Sequence, residues 1–174
     1  MSDLLRKAAR FRVQFGFVVA VLALVLARPT CRTLATGLPV AVIGEAIRLW
    51  AAGHLLKGRE VTDTGPYRFM RHPLYVGSAL LGTGFAIASG SVVVALLVAG
   101  YLGTTLFAAV RVEEASLRET FGGDYDAYAA GGRPGGARRF SMDLAISNRE
   151  HRTVIGVVGV ALLLVLETRC LGGL

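Results

Sequence analysis

The sequence predicts an all-α integral membrane helical bundle of about five transmembrane helices, and three observations carry that expectation. Of the 174 residues, 53% are hydrophobic and only 18% are charged, against about 45–50% and roughly a quarter in ordinary soluble domains. Mean hydropathy is +0.56, and the apolar residues gather into long blocks close to the roughly 20 residues that cross a hydrocarbon core. The basic residues fall almost wholly on one of the two sides that those blocks define.

The blocks cover residues 11–27, 34–56, 74–89, 91–110 and 153–166. Each is expected to be a helix, because a segment in lipid must satisfy its own backbone hydrogen bonds and none shows the alternation of a barrel strand. The first follows a basic start, as a secretory leader does. The "ARPTCRT" after it is a poor cleavage site, so residues 1–33 read as a retained anchor. Only "SGS" separates the third block from the fourth, which makes them a tight helical hairpin. Residues 34–135 then form a core, and residues 136–174 a connection and a last helix.

Arg6, Lys7, Arg10 and Arg12 precede the first block, Lys57, Arg59, Arg68 and Arg71 lie between the second and third, and seven arginines from Arg111 to Arg152 follow the fourth. These are fifteen of the nineteen lysines and arginines. The N-terminus and both long connections are therefore expected on the cytosolic side, as in a multi-pass protein of a bacterial inner membrane. The net charge of +7 then answers to the anionic headgroups of the bilayer and not to nucleic acid. Cys31 and Cys170 map to the far side, and two cysteines do not establish a disulfide. The sequence has no metal-ligand cluster and no phosphate-cradling loop of the Walker type.

The connection "GREVTDTGPYRFMRHP" ends the apolar pattern with turn-forming Gly58 and Gly65-Pro66. Pro73 suits the first turn of the third helix and keeps His72 out of it, so His72 sits at a helix mouth. There the amides of Leu74, Tyr75 and Val76 are expected to be free for an anion, with Arg68 and Arg71 adding charge. Taken singly, these arginines suit lipid phosphates, and Tyr67 and Tyr75 suit an interfacial aromatic belt. Their concentration at one point is what suggests a site. After the fourth block, Leu117, Phe121, Tyr125 and Tyr128 make one helical stripe that Gly122-Gly123 interrupts. Glu113 and Glu114 stand at the membrane boundary, where anionic headgroups offer carboxylates nothing. The hairpin brings that pair beside the basic turn, so His72 and Glu113 are expected to be neighbours.

"GPYRFMRHPLYVG", then a helical hairpin, then "EEASLRETFGGDYDAY" and Arg133-Pro134, resemble the isoprenylcysteine carboxyl methyltransferase family, related more broadly to the membrane phospholipid methyltransferases. The resemblance covers roughly residues 45–135, a methyltransferase-like core. It implies an integral membrane enzyme using S-adenosyl-L-methionine bound at the cytosolic face, with Tyr67, His72, Pro73, Leu74, Tyr75 and Glu113 as cofactor contacts. It also implies a lipid-like or small apolar acceptor that arrives from the bilayer. Eukaryotic members present an arginine to the substrate carboxylate a few residues before the glutamates. Here that spacing falls on Ala109, with Arg111 nearby. A similar "RHP" element ends the membrane sterol reductases, which use a nicotinamide cofactor, but the paired glutamates point to methyl transfer. A non-catalytic membrane protein retaining the fold is the third reading, and it predicts no cofactor binding.

Glu45 and Arg48 are three apart in the second block and share a helical face. At about 1.5 Å per residue, Glu45 lies roughly 18 Å from Lys57, deep in hydrocarbon. Ionisable groups there cost a few kcal/mol or more and face a partner or a cavity. They either pin helix packing as an ion pair or, with Arg111, line the acceptor pocket, with Trp50 and His54 closer to the cofactor.

Overall fold

The computed structural model describes residues 15–132 and 138–171, with side chains as far as Thr168. The basic N-terminal residues, Arg133-Pro134 and the side chain of Cys170 lie outside the described residues. Every regular element among those described is helical. α1 is Phe15–Val25, α2 is Cys31–Ala52, and a 3₁₀ turn covers Gly65–Arg68. They are followed by α3, Pro73–Ala88, α4, Val92–Phe121, α5, Gly123–Ala129, α6, Met142–Ser147, and α7, Glu150–Leu171. α2, α4 and α7 are long and apolar enough to cross a membrane, and α1 and α3 are shorter apolar helices. The chain is a membrane helical bundle.

Helix boundaries follow local chemistry. Thr30 and Thr33 form a reciprocal capping box, so α2 starts three residues before its apolar block. α4 runs to Phe121, eleven residues past the apolar block that ends at Val110. Arg, Glu, Leu and Ala there are good helix formers, and helix persists until Gly122 turns the chain at φ +50°. The sequence stripe is thus one long helix, a glycine break and a short helix that buries Tyr125 and Tyr128.

The bundle is held by close packing of small residues more than by a greasy interior. α2 meets α3 through Gly37, Ala41 and Gly44 against Gly77, Gly84 and Ala88. A Cβ on Gly44 would enter the backbone of Leu81, and one on Gly84 would enter that of Ala41. Backbones this close gain dispersion contacts that lipid cannot supply, which is how helices associate where the solvent is itself apolar. The large hydrophobic side chains face outward instead: Val92 is 77% exposed, Leu96 70% and Ile155 69%, the inverse of a soluble core.

The C-terminal segment closes one end of the bundle. Asn148 Nδ2 donates to the carbonyls of Ala52 and Leu55, both at 2.9 Å. The Ser141 amide bonds Gly53 O at 3.0 Å, and Arg138 Nη1 bonds His54 O at 3.1 Å. The carbonyls that α2 leaves unsatisfied at its C-terminus are thus met by residues about ninety positions later.

Candidate active site

At the end of the bundle where α2 stops and α3 starts, a cavity of about 1470 Å³ opens. Its walls come from α1, the end of α2, the loop to α3, the polar half of α4, α5 and the start of α7. Tyr67, His72, Pro73, Leu74, Tyr75 and Glu113 all line it, and so does Arg48.

The loop wall is built on Gly65, at φ +58°, where a Cβ would stand 2.6 Å from the His54 ring. Glycine alone combines that conformation with that approach. The 3₁₀ turn it starts buries Tyr67. The Tyr67 carbonyl accepts the Tyr128 hydroxyl at 2.8 Å, which ties the loop to α5. Burial, then the charge of Glu113 and more weakly that of Glu150, raise the Tyr67 phenol well above its ordinary value. Tyr67 is therefore a neutral hydroxyl within electrostatic reach of both carboxylates.

His72 caps α3 without joining it, at φ −129° and ψ 60°. Its Nε2 lies 3.2 Å from Glu114 Oε1, and its ring stacks on Tyr75 with centroids 5.7 Å apart. A carboxylate only accepts, so Nε2 is the donor in this contact. The expected pairing of histidine and glutamates is thus made, but by the second glutamate. Neighbouring helical residues point about 100° apart, so Glu113 reaches the cavity while Glu114 turns to the loop. Glu114 also gathers Arg71 at 3.7 Å and Arg118 at 3.9 Å. The expected anion cradle is smaller than the sequence suggests: the amides of Tyr75 and Val76 both bond His72 O at 3.1 Å, which leaves that of Leu74.

Arg48 joins three helices. Its Nε and Nη2 both lie 2.8 Å from Glu150 Oε1 on α7. Its Nη1 donates to Ser78 Oγ and lies 3.5 Å from Leu74 O, both on α3. Glu45 stands behind it, 3.6 Å from Nε, buried and outside the cavity wall, with neither carboxyl oxygen hydrogen-bonded among the described residues. Arg111 is also outside the wall: it is exposed and stacks 5.0 Å above the Phe107 ring. Trp50 and His54 do not line the cavity either. His54 is buried against Gly65 and Phe140, with Nδ1 2.9 Å from Trp50 O. Glu150 is the residue that sequence reasoning missed. An acid at a helix N-terminus is unremarked on its own, and nothing local links it to an arginine 102 positions earlier.

A continuous polar-to-apolar cavity bounded by His72, Glu113 and the buried Tyr67, Tyr125 and Tyr128 can hold a cationic ligand beside an apolar one. A family model described as phospholipid methyltransferase matches residues 33–124, from the first turn of α2 to the start of α5. No curated protein and no solved structure matches the chain. The match takes in more than half of the 174 residues, including the loop, the hairpin and both glutamates, and the chain belongs to the phospholipid methyltransferase family, membrane methyltransferases that include the isoprenylcysteine carboxyl methyltransferases.

Proposed function

We propose that the protein is an S-adenosyl-L-methionine-dependent methyltransferase acting on a lipid-like or small apolar acceptor, with its site and N-terminus on the cytosolic side. The reading rests on one observation: all six residues expected to touch the cofactor border one cavity, which continues past them along apolar residues of α1 and α4 such as Val18, Ala108 and Val112. Its volume of about 1470 Å³ exceeds the roughly 300–1,000 Å³ of a single-ligand pocket. Two ligands can meet in it.

The donor set suits the cofactor. Glu113 offers a carboxylate to its cationic groups, the Leu74 amide at the α3 N-terminus and Arg71 at the mouth offer positive charge to its carboxylate, and Tyr67 and Tyr75 offer aromatic faces. When bound, it supplies a sulfonium methyl group that a nucleophile takes by in-line displacement, leaving a neutral thioether. The protein's part is positioning and field. Glu114 holds the His72 ring, Tyr128 holds the Tyr67 loop, and the apolar α1 and α4 wall excludes water from the acceptor.

Calorimetry on detergent-purified protein tests this. S-adenosylmethionine is expected to bind in the micromolar range, and His72→Ala or Glu113→Ala to weaken it at least tenfold. Unchanged affinity in both variants overturns the assignment.

A further inference from the structure

We infer that Glu150 sets the charge of the acceptor: by occupying Arg48, it makes the inner cavity wall select an uncharged or cationic headgroup and reject a carboxylate. The inference rests on the proposed function for the word acceptor. Its physical basis stands apart from the cofactor.

An arginine on the wall of an apolar cavity is by default a carboxylate receptor. Arg48 is not free to be one. Glu150 takes Nε and Nη2, each at 2.8 Å, Ser78 and Leu74 take Nη1, and Thr153 Oγ1 lies 3.4 Å from Nη2. All three guanidinium nitrogens are engaged. Glu45 stands at 3.6 Å on the same guanidinium, so the arginine has no charge left over for a ligand carboxylate. Glu113 puts another carboxylate on the same cavity. The exposed positive charge lies elsewhere: Lys57 and Arg71 border the cavity as exposed residues, Arg71 with Glu114 3.7 Å away. An acceptor carboxylate at the inner wall would have to displace Glu150 from a nearly buried ion pair, and removing one partner from such a pair is costly.

Glu150 lies outside residues 33–124, the span of the family match. The selecting residue thus comes from α7, and the arginine that it occupies from α2 within the matched span.

The test compares two chain-matched probes, decylamine and decanoate, binding to the full-length protein in nanodiscs without cofactor, by calorimetry against empty nanodiscs. Wild type is expected to prefer decylamine at least tenfold. Glu150→Gln is expected to bind decanoate at least tenfold more tightly than wild type, and Arg48→Gln/Glu150→Gln to lose that gain. Equal affinities in wild type, or a preference for decanoate, overturn the inference even if neither variant folds. Folded Glu150→Gln protein with unchanged decanoate affinity overturns it as well. S-adenosylmethionine binding, measured in the same preparations, separates failure of this inference from failure of the proposed function.

Discussion

Glu150 Oε1 sits 2.8 Å from both Nε and Nη2 of Arg48, across 102 residues of sequence, while Glu45, one helical turn from Arg48, stays 3.6 Å away. The long-range partner takes the guanidinium and leaves the local acid with no hydrogen bond on either oxygen among the described residues. The two acids should therefore respond oppositely to mutation. Glu150→Ala takes the main partner from a part-buried arginine, its side chain 17% exposed, and is expected to cost up to about 3 kcal/mol. Glu45→Gln removes a buried carboxyl that gains little and should be neutral or stabilising. Thermal melts in detergent check both, and a larger loss from Glu45→Gln than from Glu150→Ala would contradict the assignment of partners.

Helix pairing makes a second prediction. Gly84→Leu drives a side chain into the backbone of Ala41, and a backbone cannot move aside as a side-chain tip can. Expression of monodisperse protein should be lost. A Cβ added to Gly103 on α4 would meet nothing within 4 Å, so Gly103→Ala should be tolerated, with up to about 1 kcal/mol gained from helix propensity. Size-exclusion profiles of the two variants decide it.

How far these features were legible depends on their range. The helices, the hairpin and the mouth at His72-Pro73 are local patterns, and each lies within a residue or a few of its expected place. The continuation of α4 past Val110 was hidden because hydropathy marks where lipid ends, whereas helix ends where a glycine takes positive φ, at Gly122. Which glutamate meets His72 depends on helix rotation, and the Arg48–Glu150 pair on the docking of α7 against α2. Neither is written in any one stretch of sequence.

The two tyrosines of α5 make a third prediction. Tyr128 donates to the Tyr67 carbonyl, whereas the Tyr125 hydroxyl is buried with no partner among the described residues. Tyr128→Phe leaves a buried carbonyl unpaired and should cost about 1–3 kcal/mol, and Tyr125→Phe should be neutral or stabilising. Burial raises both the Tyr67 and Tyr125 phenols. The unfolded chain releases these protons near pH 10 and the folded one keeps them. Stability should therefore fall as pH rises above about 10, and fall less in Tyr125→Phe. Melting temperature against pH between 8 and 11 reads out both effects.

Orientation makes a fourth. Cys31 opens α2, exposed and with a free thiol, at the end of the bundle opposite the cavity. With the site on the cytosolic side, a membrane-impermeant maleimide added to intact cells whose outer face is accessible should label Cys31 in a Cys170→Ala background. Labelling only after lysis would place the cavity on the other face.

The division of labour between the twin glutamates makes the last. Glu113 borders the cavity, so Glu113→Gln removes a carboxylate from the ligand itself and should weaken S-adenosylmethionine binding at least tenfold. Glu114 acts through His72, and its effect should depend on what replaces it. Glu114→Gln keeps a carbonyl to accept the Nε2 proton and loses the attraction of Arg71 and Arg118, both about half exposed and so worth little. A severalfold loss is expected. Glu114→Ala frees the ring and should cost more than Glu114→Gln but less than Glu113→Gln. That order, measured by calorimetry, follows from the geometry of two consecutive helical residues. An affinity for Glu114→Ala equal to that of wild type would mean that the ring needs no holding.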